Sequence, residues 1–157
     1  MANIINANND MTHHFTFTAP YGNNTVRYHR LSTAGTTGII DQGLDKKAIG
    51  AGDVVILGDL PCGFVLTDAI VSVVTGFTGA ASLGFKYKDG TDSTEVPQND
   101  KYFFDAKDVS TAGVIRADKQ TMVKLPKDAQ LIMTFAAANT KKSELRVAVT
   151  GELVGAP

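Results

Sequence analysis

The feature that most constrains this chain is a two-residue rhythm of apolar and polar side chains, interrupted at short intervals by glycine and proline. Alternation with period two sends successive side chains to opposite faces, the geometry of a strand with one dry and one wet face. Leu83, Phe85 and Tyr87 alternate with Lys86 and Lys88, and Leu131, Met133 and Phe135 share one side of 130–135. In 144–154, Leu145, Val147, Val149 and Leu153 stand opposite Glu144, Arg146, Thr150 and Glu152. Across 12–18, His13, Phe15 and Phe17 oppose His14, Thr16 and Thr18. Val26 and Tyr28 alternate with Arg27 and His29, which reads as core residues flanked by solvated charges. Half-buried antiparallel strands follow.

Two segments are apolar on both faces. Val54-Val55-Ile56-Leu57 is one, and Phe64–Thr75 with Ile70-Val71-Ser72-Val73-Val74 is the other. Burial on both sides suits a central strand, or one covered by a neighbouring subunit. Twelve residues would stretch about 40 Å at 3.3 Å each, longer than a usual strand, so a bulge or bend is expected near Thr67-Asp68. Asp89-Gly90 is a hairpin signal directly after 82–88. All five prolines lie between apolar runs or at the terminus, and twelve of the fifteen glycines precede position 91. Leu60-Pro61 and Leu125-Pro126 each read as a tight corner between two strands. One stretch, 99–112, admits one or two helical turns, with Asn99 or Asp100 as cap, Tyr102, Phe103 and Ala106 inward, and Gly113 as stop. Eight or nine short strands with turn signals between them make the fold class all-β, an antiparallel sandwich or barrel, and their unequal lengths and varied loops favour the sandwich.

The first eleven residues are compositionally separate: four asparagines around one apolar pair, Ile4-Ile5. They read as an extended arm, disordered or ordered on a partner, ahead of a single sandwich domain over 12–157. At 157 residues such a domain buries about two-thirds of its extended surface. It needs neither metal nor disulfide to hold together.

Composition narrows function. Fifteen basic residues face sixteen acidic ones. Residues 1–48 hold four basic against three acidic, 49–99 two against six, and 100–157 nine against seven. No segment is basic enough to gather phosphates, so no nucleic-acid partner is expected. No basic n-region precedes an apolar stretch, and no run of 18 apolar residues occurs, so neither a secretory signal nor a membrane partner is expected. Cys62 stands alone, which excludes an intrachain disulfide and a multi-cysteine zinc site. His13 and His14 point to opposite faces of a strand and do not readily grip one ion; His29 supplies no third ligand by spacing. The acidic loop 89–95 lacks the calcium-loop pattern, and Gly35-Thr36-Thr37-Gly38 and Gly50-Ala51-Gly52 lack the Lys-Ser/Thr of a phosphate cradle. No Gly-x-Ser-x-Gly elbow is present. The expectation is a non-enzyme without cofactor, catalytic residue or metal site, whose work is done by its surface.

Three stretches carry a resemblance. Phe15-Thr16-Phe17-Thr18-Ala19-Pro20-Tyr21, the run from Gly52 through Asp59-Leu60-Pro61-Cys62-Gly63 to Phe64, and Asp89-Gly90-Thr91-Asp92-Ser93-Thr94-Glu95-Val96-Pro97-Gln98 resemble small virion proteins of tailed bacteriophages. Within these, the chain is similar to head decoration, or cement, proteins of jelly-roll type. That resemblance implies a protein made in the host cytoplasm that sits on the outer capsid surface as a homodimer or homotrimer. It would clamp neighbouring copies of the major capsid protein. The arm would supply contacts through Ile4, Ile5, Asn6 and Met11, by strand addition to its partner. The alternative is another virion component, a head fibre or tail-associated adhesin that binds a host glycan.

Overall fold

The computed structural model describes residues 2–8, 24–118 and 122–154. They form eleven strands: β1 (Ile4–Asn6), β2 (Asn24–Ala34), β3 (Ile39–Ile40), β4 (Val54–Leu60), β5 (Phe64–Thr75), β6 (Ala80–Tyr87), β7 (Asn99–Asp108), β8 (Gly113–Arg116), β9 (Val123–Lys124), β10 (Ala129–Phe135) and β11 (Ser143–Leu153). One sheet has the order β1-β4-β10-β6-β7 and the other β3-β2-β11-β5-β8, with β9 also paired to β5. Every pairing is antiparallel except that of β1 with β4. The fold is an all-β sandwich, and among the described residues there is no helix.

The core lies between the sheets, where the alternating residues meet. Leu145, Val147 and Val149 of β11 and Leu131, Met133 and Phe135 of β10 are buried, with Leu83, Phe85 and Tyr87 of β6. Phe64, Phe77, Phe103 and Phe104 fill the remaining space. β5 runs the full twelve residues and bulges as its length requires. Asp68 pairs with Thr150 but Leu66 with Gly151, so Thr67 is skipped. Its hydroxyl donates to Thr150 O at 2.9 Å. The two Leu-Pro corners sit side by side at one end. Gly63 N donates to Leu125 O at 2.8 Å, and Leu125 N to Phe64 O at 3.0 Å. Cys62, half-buried between them, donates through its thiol to Pro126 O at 3.2 Å.

Four expectations change. The stretch 99–112 is strand and turn, not helix: β7 pairs with β6, and two register shifts arch its backbone so that Tyr102, Phe103 and Phe104 all face inward. The Tyr102 ring stacks edge-on against Phe85 at 5.3 Å and Phe103 at 4.9 Å. Asn99 caps no helix; its side chain accepts from Lys101 N at 2.8 Å in an Asx turn. Asp89-Gly90 closes a turn, with Gly90 N donating to Tyr87 O at 3.3 Å, but the chain then loops outward to Asn99 before pairing resumes. β4 is covered on both faces as expected of a central strand; β5, expected to be central or covered by a neighbouring subunit, is covered within this chain on one face, leaving Ile70 and Ser72 half-exposed and Val74 exposed.

The fourth change is in β2. Here Arg27 and His29 are buried, at 8% and 1% exposure, while Val26 and Tyr28 face out at 37% and 54%. Register explains it: His29 pairs with the inward Val147 and Tyr28 with the outward Ala148. The core accepts the polar pair because Arg27 Nη1 donates to Asp59 O at 3.0 Å and Gly58, lacking a Cβ, leaves room for the imidazole.

Residues 3–7 lie along the chain's own sheet. Val54 N donates to Asn3 O at 2.9 Å and Ala7 N to Ile56 O at 3.0 Å. Asp53, buried, accepts from Asn3 N and from Gly50 N, each at 2.7 Å, and Asp45 accepts from Asn6 N at 2.9 Å. A buried carboxylate fastened to backbone donors forms strong, charge-assisted hydrogen bonds.

Candidate functional site

Among the described residues, no three His, Cys, Asp or Glu side chains gather closely enough to hold a metal ion. His13, His14, Phe15 and Phe17 lie outside the described residues, as does Met11. The features that distinguish this surface are on the outer face of the β2-β11-β5-β8 sheet. The register sets its rows. Tyr28, Ala148, Ile70 and Arg116 are neighbours across the four strands, and the next row reads Arg30, Arg146, Ser72 and Val114. Row neighbours on adjacent strands stand about 4.8 Å apart, so each row forms one continuous strip of surface.

Ala148 and Ser72 are small and lie in the middle, which leaves a shallow groove of about 520 Å³. Tyr28 and Arg30 line it from β2, Arg146 from β11 and Ile70 from β5. Val26, Tyr28 and Val114, the last 71% exposed, put three large apolar side chains on this one face.

Its charges are coupled. Arg30 Nε donates to Glu144 Oε1 at 3.1 Å, and Arg146 donates to the same oxygen through Nε and Nη2, each at 3.2 Å. The Arg30 hydrogen bond, reinforced by that of Arg146, holds the Glu144 carboxyl below the usual range, against burial that would raise it. Arg116 grips Asp68 Oδ2 through two nitrogens, at 3.0 and 2.8 Å. Three guanidinium groups therefore face two carboxylates.

The contact residues expected from the sequence lie elsewhere, on the edge of the other sheet. Ile4 is 58% exposed, but Ile5 is fully buried in the chain's own core. Asn6 is half-buried, and its side chain accepts from Asn8 N at 3.0 Å. Any apolar contact from the Ile4-Ile5 pair thus falls to Ile4 alone. The outer face was missed because Tyr28 and Val26 were assigned inward; only the β2–β11 register reverses that assignment.

No family model and no curated protein matches this chain. Solved structures do. A chain of the capsid of Ralstonia phage GP4 superposes with a TM-score of 0.64 at 17% identity, over 98% of this chain and 99% of that one. A chain of the cyanophage Pam1 capsid asymmetric unit gives 0.55 at 17% identity, over 88% and 91%. Both come from phage capsids. At such identity the likeness is one of fold, and it spans the sandwich from end to end.

Proposed function

We propose that this chain is a structural component of a phage virion, and specifically a decoration, or cement, protein. In this reading it binds the outer surface of the assembled head and clamps neighbouring major capsid subunits. The observation that carries it is the whole-length fold likeness to a chain of a phage capsid, 98% of this chain against 99% of the other. The exposed apolar and guanidinium-rich outer face supports it, because such a patch suits a protein interface better than a solvated sheet.

The chemistry asked of it is binding, without catalysis or cofactor. A protein that binds only the intact shell stabilises it by mass action, by about 2.7 kcal/mol per site at a hundredfold excess over Kd. Assembly as a homodimer or homotrimer multiplies contacts and raises effective affinity without one strong site. The arm contributes Ile4 and Asn6 at the β1 edge, together with Met11.

The test is to mix purified protein with undecorated heads and sediment them. Saturable co-sedimentation at a copy number matching a capsid symmetry axis is expected. Absence of the protein from the pelleted heads would overturn the proposal.

A further inference from the structure

Outward positions of a solvated sheet ordinarily carry hydroxyls and long charged side chains. The groove on β2-β11-β5 departs from that pattern. It is lined by Ala148 and Ser72, short enough for another chain to approach the strands closely, by the half-exposed Ile70, and by the longer Tyr28, Arg30 and Arg146. Tyrosine and arginine are the residue types that most often dominate binding energy at interfaces. The side chain of Arg146 is 64% exposed and that of Arg30 40%, yet both spend hydrogen bonds on a single oxygen of Glu144. Each guanidinium has five N–H donors in a planar fork, so donors remain for a second carboxylate. Arg116 and Asp68 balance each other, but at the groove Arg30 and Arg146 share the single carboxylate of Glu144, so this cluster holds one unmatched positive charge.

We propose that this groove docks an extended segment of a capsid subunit bearing an aspartate or glutamate. The carboxylate seats on Arg146 and Arg30, and its apolar neighbours lie on Ala148 and Ile70 beside the Tyr28 ring. This rests on the capsid-binding reading above and adds the face and the partner's chemistry. A second copy of this chain fits less well, since each face would meet the other's surplus guanidinium. A nucleic-acid backbone fits less well too, because the floor is apolar and one surplus charge releases few counterions.

The experiment titrates the full chain, Tyr28→Ser, Arg146→Glu and a control, Lys47→Glu, onto undecorated heads at low and high salt. Sedimentation velocity and a 20-base-pair DNA probe are run alongside. Tyr28 is exposed, so Tyr28→Ser should keep the wild-type melting temperature; Arg146→Glu loses its bonds to Glu144 and should melt somewhat lower, so binding is measured well below both transitions. Wild type and Lys47→Glu should bind alike and more weakly in high salt, whereas each face variant should lose at least about tenfold in affinity. Full-strength binding by both face variants would overturn the docking site while leaving the capsid reading intact. Failure of the wild type to bind heads would remove both. Self-association or DNA binding that is lost only in the face variants would also overturn it, in favour of that other occupant.

Discussion

Gly58 and His29 illustrate how single positions set this fold. The imidazole lies where a side chain at 58 would begin: a Cβ placed there overlaps the ring. Gly58→Ala should therefore cost about 2 kcal/mol of stability through overpacking, read as a lower urea midpoint. In a His29→Ala background the same Gly58→Ala change should cost less, because the two positions are coupled. Glu144 gives a pH-dependent counterpart. Its carboxyl titrates below the ordinary carboxylate range because it is bonded to Arg30 and Arg146. The stability it contributes is complete above that ordinary range and lost as pH falls through the lowered value. Acid melts should show wild type losing more stability than Glu144→Gln below about pH 4; parallel acid limbs would contradict the assignment. Both residues also show what a sequence conceals. Arg27 and His29 look solvated because they are polar, yet the β2–β11 register and a glycine on the facing strand admit them to the core.

Among the strands, legibility follows how evenly each is covered. β6, β10 and β11 announce themselves because each has one unbroken ladder, β6 with β10 and β11 with β2, along which buried apolar residues recur at every second position. The bulge in β5 was readable from length alone. β7 was not, since its register shifts bring Tyr102, Phe103 and Phe104 inward together, and adjacent buried aromatics imitate a helical face. The backbone of Asn99 and Asp100 crosses so near Gly84 that a Cβ there would collide with it, a constraint no periodicity reveals. Burial in this arch pushes the Tyr102 phenol up to about 12. The neutral phenol is favoured by folding, so this contribution is intact below the unfolded value near 10 and disappears as pH rises through the folded one. Alkaline titration followed by ultraviolet absorbance should find one tyrosine ionising near pH 12, later than an exposed phenol, and absent in Tyr102→Phe. Ionisation of every tyrosine near pH 10 would mean that the arch is open to water.

For the molecule as a whole, the sandwich class was legible and the make-up of its outer face was not. An alternation pattern tells which residues share a face but leaves open which face is outside, and for β2 that choice decides whether Tyr28 is buried or exposed. The arm shows the same limit: Ile4 and Ile5 are equivalent in composition, but their places beside Val54 and Val55 expose one and bury the other. What emerges is a closed pair of sheets with a polar network sealing one end, where Asn139, buried, donates to Lys141 O at 3.0 Å and accepts from the Thr78 hydroxyl at 3.2 Å. A rigid scaffold of this kind can present an outer face at fixed spacing to a repeating lattice. The most direct measurement is the temperature at which undecorated heads rupture, with and without saturating protein. Clamping predicts a rise that saturates together with occupancy; an unchanged rupture temperature at full occupancy would contradict it.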